Sequence, residues 1–397
     1  MAIFNSLGSN YLSKDVWQHL FARGSKDSNI KLAQLLGQHY GGQAILTYKG
    51  REALEIALKA SGLPAGSVVG INGFTCYAVY KAVENAGYKS LPIDVMPGQL
   101  NFGITELKHA HAKHPEIKAL IIQNTLGYPA DMQSIAAYCQ QSAILLIEDL
   151  AHSTGLTYLD GREAGTVGAF SMLSFSQDKP LDVVAGGAMI DRRGQAAQPA
   201  SELPIIGSSQ RLKNRMYPFW TAIIRGTYPI GLGRYVHFIL KKLNLMATPM
   251  SDDLEGLHQM SSSTAGLILQ RWQQLATELA HRREIAAIYN EQLPAQLRSI
   301  QPAGIPTYLR FPIWVDQRDS LVSYLRKDGI HIGDTWYDAP IGPIKYLAKT
   351  DYKAGTCPNA EELSKHIVNL PTHVHVTGEK AKLIAIKVNE WLKSQPK

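Results

Sequence analysis

The 397-residue chain has only three cysteines, Cys76, Cys139 and Cys357, far apart and odd in number. That usage excludes a disulfide framework and a zinc module. Charged residues are sparse at 18%, and glycine (33) and proline (20) stay below a low-complexity fraction. With 45% apolar residues, this composition belongs to a folded protein of about two or three domains rather than to a disordered one. The start, MAIFNSLGSNYLSKD, has no basic stretch followed by an apolar one, so a secretory signal is not expected and a cytoplasmic location is. Neither GxGxxG nor GxxxxGK followed by Ser or Thr occurs, which removes the dinucleotide fingerprint and the P-loop. No internal repeat is visible.

Acid is missing from one stretch. Between Glu202 and Asp252 there is none, whereas Arg211, Lys213, Arg215, Arg225, Arg234, Lys241 and Lys242 fall there and account for the whole net charge of +7. A single basic segment suggests a local role, and with no RNP, helix-turn-helix or zinc signature, nucleic acid is not an expected partner. The same segment, at 217–246, is the most apolar part of the chain. Arg225, Pro229 and Arg234 interrupt it before the roughly 18 residues that a membrane-spanning helix needs. From Leu232 it reads as a helix with Leu232, Val236, Ile239, Leu240 and Leu243 on one side and Arg234, His237 and Lys241 on another. One reading is peripheral contact of 211–245 with an anionic membrane, or a grip on a lipid-linked or diphosphate substrate. The other is a buried insertion or subunit contact whose basic residues are solvated.

Short apolar runs alternate with helix-like stretches from 44 to 191. The runs are 44–48, 68–71, 90–94, 119–124, 143–149, 170–175 and 187–191, with amphipathic segments such as REALEIALKASG and DMQSIAAYCQQ between them. Strands without strict alternation, spaced by helices, predict an α/β fold with a mainly parallel sheet covered on both faces. Residues 263–293 have long helical character. Beyond about 300, LRFPIWV reads as strand and RDSLVSYLRKDG and EELSKHIVNL as helices, predicting a smaller α/β domain. The expected organisation is a large domain with an N-terminal arm over 1–202, a basic apolar insertion over 203–255, a long interdomain helix over 256–295 and a small C-terminal domain over 296–397.

Ligands of open α/β sheets bind beyond the carboxyl ends of the strands. There, Tyr48-Lys49-Gly50-Arg51 leads through one glycine into a helix, whose free amides suit a phosphate. Glu148 and Asp149 end the most apolar strand, so a buried carboxylate in need of a cation is expected, or else a helix cap. His152 follows three residues later. Ser174 and Ser176 precede Lys179, about 30 residues after Asp149. A lysine amine beside a phosphate site and an aspartate is the set needed to hold pyridoxal phosphate. FTCYAVYKAVENAG, after the second run, offers side chains that could pack on a flat ring, or simply core.

On these segments the chain resembles the DegT–StrS family of pyridoxal-phosphate sugar aminotransferases. The resemblance runs from AQLLGQHYGGQAILTYKGREAL through GYPADM, IEDLAHSTG and SFSQDK to CPNAEELSKHIVNLPTHVHVT. Its two specific features are the strand end from Glu148-Asp149 to Gly155 and the loop from Ser174-Phe175 to Lys179. The resemblance implies the aspartate-aminotransferase-like, type I fold and pyridoxal 5'-phosphate as cofactor. It implies that Lys179 forms the Schiff base and shuttles protons, that Asp149 pairs with the pyridinium nitrogen, and that Ser174 with the Gly50-Arg51 amides holds the phosphate. His152 would lie close to the ring. Cys76 stands where an aromatic often stacks on the ring, with Tyr77, Tyr80 or His152 as substitutes. Gln259 is the nearest equivalent of an Asn sent to the neighbouring subunit's phosphate, which implies a homodimer with a shared active site.

The loop after Lys179 reads Val184-Ala185-Gly186-Gly187 where the family has Gly-Glu-Gly-Gly. The function expected by resemblance is transfer of an amino group from an amino acid, glutamate first, to a nucleotide-linked keto-sugar in surface polysaccharide or glycan biosynthesis. The alternatives are a lipid-linked or amphiphilic acceptor at the membrane, or a cofactor-binding sensor without turnover.

Overall fold

The computed structural model describes residues 2–194, 202–248, 256–333 and 337–395. The seven apolar runs become seven strands of one sheet: β1 (Gln43–Thr47), β2 (Val68–Asn72), β3 (Lys89–Ile93), β4 (Ile117–Ile122), β5 (Leu145–Asp149), β6 (Phe170–Ser174) and β7 (Gly187–Asp191). Their order across the sheet is β1-β7-β6-β5-β4-β2-β3. From β6 to β3 all neighbours are parallel, and β7 runs antiparallel to both β1 and β6. The central strands β5, β6 and β7 are buried along almost their whole length. This is why they read as continuous apolar runs rather than as alternating ones.

Helices cover both faces. On one lie α2 (Ser28–Tyr40), α5 (Ile104–Lys113), α6 (Met132–Gln141) and α9 (Ser262–Trp272), which contribute Leu32, Leu36, Leu107, Ile135 and Ile268 to one core. On the other lie α3 (Gly50–Lys59) and α4 (Tyr77–Asn85), with Ala53, Leu54, Leu58, Val79 and Val83. The chain beyond α9 builds a further core. There α10 (Leu275–Gln292), α11 (Arg318–Lys327) and α13 (Gly378–Ser394) surround the antiparallel pair β8 (Phe311–Trp314) and β9 (Ile367–Leu370).

Two readings from the sequence change. The single helix expected over 263–293 is two helices, α9 and α10, separated at Gln273-Gln274. The first half packs on α2 beside the sheet and the second on α13, so one straight rod does not serve both. The segment EELSKHIVNL is helical only to His366, in α12 (Pro358–His366). Its β-branched Ile367 and Val368 instead pair with Trp314 and Ile313.

The basic segment forms α7 (Ser208–Thr227) and α8 (Leu232–Lys242). Helix α7 lies against α1 (Ser13–Leu20), and α8 lies on α7. The expected apolar side of α8 splits: Leu240 is buried and Val236 half-buried, whereas Leu232, Ile239 and Leu243 stay exposed. The end of the expected insertion, 249–255, and residues 195–201 just before it lie outside the described residues.

One close approach ties the sheet to the first site helix. Gly187 opens β7 opposite Thr47, and a Cβ there would lie 2.4 Å from the Lys49 carbonyl carbon and 2.6 Å from the Gly50 nitrogen. Backbone cannot yield as a flexible side chain can. Gly187→Ala is therefore expected to cost about 1–3 kcal/mol, read as a lower denaturation midpoint at unchanged slope.

Candidate active site

Five of the sheet's parallel strands deliver residues to one place. Beyond their carboxyl ends lie Lys49 and Gly50 after β1, Cys76 after β2, Gln123 after β4, Asp149 at the end of β5 and Ser174 at the end of β6. With Arg51, His152, Ser176 and Lys179 they line a cavity of about 80 Å³. Of the residues singled out in the sequence, Lys179, Asp149, His152, Ser174, Gly50, Arg51 and Cys76 are thus together. Gln259 is not among the lining residues: its side-chain amide donates to the Leu203 carbonyl at 2.7 Å. Tyr77 and Tyr80 do not line the cavity either. Tyr77 stacks on Tyr346, with ring centroids 4.9 Å apart, and both tyrosines belong to the core below α4.

Glu148 and Asp149 point to opposite faces of the sheet, as adjacent strand residues must. Glu148 is wholly structural. Its oxygens accept from the Gly165, Val167 and Gly168 amides at 2.7–2.8 Å and from the Tyr158 hydroxyl at 3.0 Å, and Arg192 stands 3.6 Å away. Asp149 faces the cavity. One oxygen accepts the Ala151 amide at 2.8 Å, and burial pushes its pKa up to about 6, against that hydrogen bond and the Lys179 charge. Both acids at this strand end are buried; Asp149 is the one that faces the cavity, which Lys179 also lines.

Burial also lowers the Lys179 pKa, opposed by Cys76, Asp149 and Asp178. The loop that carries this lysine is held in an unfavourable backbone conformation, with φ of 62° at Asp178 and 73° at Val184. A single side chain compensates. The Asp182 carboxylate accepts the Asp178 amide at 2.8 Å, the Val184 amide at 3.0 Å and Asn10 Nδ2 at 3.1 Å, and also receives the Tyr11 hydroxyl.

His152 is buried, and burial, then Lys179 and Arg310, lower its pKa well below the usual range, so it is neutral. Its Nδ1 lies 3.2 Å from the Leu126 amide, which can only donate. The ring proton therefore sits on Nε2; the Tyr337 hydroxyl oxygen lies 3.2 Å from that nitrogen and 3.3 Å from Nδ1. Leu126 reaches this position through left-handed backbone at Asn124 and at Leu126 itself. The Asn124 side chain secures that bend through Tyr158 and the Ala130 amide, both at 2.9 Å.

At the opposite end, α3 begins at Gly50, so its first amides have no carbonyl within the helix to serve. A Cβ on Gly50 would lie 2.7 Å from Ser174 Cβ, leaving the cradle open only because the residue is glycine. Lys49, buried here with its pKa lowered to about 7 by burial and by Arg51, adds an amine that the sequence reading did not single out. Its position directly before Gly50 was the available signal. Helix-start amides, a serine and a lysine suit a phosphate; a buried aspartate suits a ring nitrogen that carries a proton; a desolvated amine suits a carbonyl. This donor set fits pyridoxal phosphate.

Residues 23–389 match the model of the DegT/DnrJ/EryC1/StrS aminotransferase family. The chain is 25% identical over 358 residues to the UDP-2-acetamido-2-deoxy-3-oxo-D-glucuronate aminotransferase of Pseudomonas aeruginosa, covering 89% of this chain and 87% of that one. It is also 25% identical over 349 residues to the pleiotropic regulatory protein of Geobacillus stearothermophilus, covering 86% and 83%. The fold matches the crystal structure of S. venezuelae DesV with a TM-score of 0.75 at 21% identity, over 100% of this chain and 99% of that one.

The raised pKa of Asp149 gives two opposite pH effects. Without cofactor, the folded state holds the proton more tightly than the unfolded chain, so Asp149 costs stability as pH rises from about 4 to about 6. Affinity for pyridoxal phosphate is expected to rise over about pH 5 to 7 as the carboxylate ionises. In Asp149→Asn that part of the rise should vanish and binding should weaken about 10- to 100-fold, measured by fluorescence titration.

Proposed function

The chain belongs to the DegT/DnrJ/EryC1/StrS aminotransferase family, and from that membership we propose that it moves an amino group from an amino acid, glutamate first, to a keto-sugar in glycan biosynthesis. Like its family it is a pyridoxal-phosphate enzyme. The observation that carries the reading is the convergence of Lys179, Asp149 and His152 with the cradle of Gly50, Ser174 and Lys49 in one cavity. Bound there, the cofactor supplies an aldehyde that takes up the amino group and a protonated ring that draws electrons from the reacting carbon.

The chain's own groups do the rest. Burial lowers the Lys179 pKa, which eases loss of the proton that this amine must give up before it attacks a carbonyl or takes a proton from the substrate. Asp149 keeps the ring nitrogen protonated, and neutral His152 offers its Nε2 proton as a donor. A lysine at 179 also separates this chain from sugar dehydratases of the family, which by resemblance carry histidine there.

The activity that names the Pseudomonas relative, on a UDP-linked 3-oxo sugar, supports a keto-sugar acceptor. A homodimer belongs to the same proposal, with Gln259 serving the neighbouring subunit's phosphate. So do a cytoplasmic site of action and membrane contact through 211–245. Among the described residues no helix is long and apolar enough to cross a membrane. A competing reading, a cofactor-binding regulator without turnover, draws on Cys76 in place of a ring-stacking aromatic and on the name of the Geobacillus relative.

Visible absorption separates the two. The protein with pyridoxal phosphate is expected to show a bound-cofactor band that Lys179→Ala abolishes and that glutamate bleaches. A band that persists in the presence of every amino donor would favour the regulator.

A further inference from the structure

A second cavity, about 820 Å³, adjoins the first, with Cys76 and Gln177 lining both. Its walls carry Arg234, His237 and Lys241 of α8, together with Arg326, His331 and Lys345. Asp178 is its only carboxylate among the described residues, and that group already stands 3.8 Å from Arg310. None of Arg234, Lys241, Arg326 and Lys345 forms an ion pair within 4.0 Å among the described residues. Burial, then the charges of Arg326 and Arg234, lowers the His331 pKa, and burial, then Lys241, that of His237, in keeping with cations sharing one cavity. Like charges gathered beside a reaction site are costly unless an anion joins them.

Helix α8 has three faces. Gly233 and Leu240 pack inward, and a Cβ on Gly233 would lie 2.3 Å from the Ile224 carbonyl of α7, which fixes the helix's rotation. Arg234, His237 and Lys241, spaced by three and four residues, line the cavity. The third face is apolar and open: Leu232, Tyr235, Phe238, Ile239 and Leu243 are 54, 70, 65, 52 and 61% exposed, with Lys242 among them. A twofold contact would set this face against its own copy. Residues 203–251 hold no acid, so this segment of a facing copy would offer Lys242 no carboxylate. An anionic bilayer complements both the apolar side chains and the charge.

Resting on the reading of this protein as a keto-sugar aminotransferase, we propose that α8 docks on an anionic membrane. Its acceptor is then a keto-sugar carried on a lipid phosphate or diphosphate, whose oxygens are taken by Arg234, Lys241, Arg326 and Lys345. The helix that touches the bilayer is the wall of the acceptor cavity, so docking and acceptor entry occur at one place.

The test uses the holoenzyme with vesicles of phosphatidylcholine alone or mixed with phosphatidylglycerol. Sedimentation is expected with the anionic vesicles only, weakened by salt and at least about tenfold lower in Phe238→Asp/Ile239→Asp. The milder Phe238→Ser should give an intermediate loss, and both side chains are exposed, so folding is not at stake. Inorganic pyrophosphate, followed by calorimetry, should bind the soluble holoenzyme, and Arg234→Ala should weaken it about tenfold or more.

Equal sedimentation of the wild type and the aspartate variant, or none with anionic vesicles, would overturn the docking. Disulfide-linked dimers through Phe238→Cys would do the same by showing that a second copy covers the face. Binding of UDP more than about tenfold tighter than pyrophosphate would show that the cavity reads a nucleoside, and would overturn the lipid carrier. Glutamate bleaching is recorded on the same samples. A band that persists with every amino donor while vesicle binding is intact refutes the amino transfer, whereas bleaching without vesicle binding refutes only the docking.

Discussion

The structure around the reactive lysine depends on the carboxylate of Asp182. It lies three residues beyond Lys179, is fully buried, and closes the loop by accepting the amides on either side of it. Two left-handed, non-glycine residues in one short loop would not persist without such a clamp. The carboxylate is itself positioned by Asn10 and Tyr11 of the N-terminal segment. Asn10 is in turn fixed by Arg282 at 2.9 Å, and Arg271 is tied to Asp15 and Glu278. The lysine's direction therefore follows from a chain of buried polar contacts that ends in the long helix α10, far from the sheet in sequence.

The other half of the site is set by the sheet. Parallel strands expose their carboxyl ends on one edge, and the residues that follow them collect there without further instruction. That made much of the site legible from sequence: Asp149 ends one apolar run, Ser174 lies at the end of another, and Gly50 and Lys179 follow within two and four residues of such runs. Asp182 and Lys49 were harder to see. A lone lysine or aspartate in a loop is ordinarily solvated, and only the tertiary structure shows both buried. Gln259 illustrates the opposite case, a position suggested by resemblance whose side chain, within one chain, is occupied by the Leu203 carbonyl.

The strands themselves were read accurately because burial on both faces leaves an unmistakable apolar run. Helix ends were read less well. The 263–293 pattern is amphipathic throughout, and nothing in its periodicity marks Gln273-Gln274 as the point where the packing partner changes from α2 to α13. For α8 the pattern did reveal two kinds of surface, but not which of the apolar residues would face inward. Contact with α7 decided that, through the one glycine that lets the two backbones meet.

The tie between the N-terminal segment and the lysine loop also governs when the site can exist during synthesis. Asn10 and Tyr11 leave the ribosome 171–172 positions ahead of Asp182, and Arg282 follows another hundred on. At about 5–20 residues per second, the early segment waits at least several seconds for its partners. The emerging sheet can form during that interval, but Lys179 cannot be set in its final direction. Ordering of Lys179 thus waits until the chain has grown past Asp182, and its full support until Arg282 has emerged.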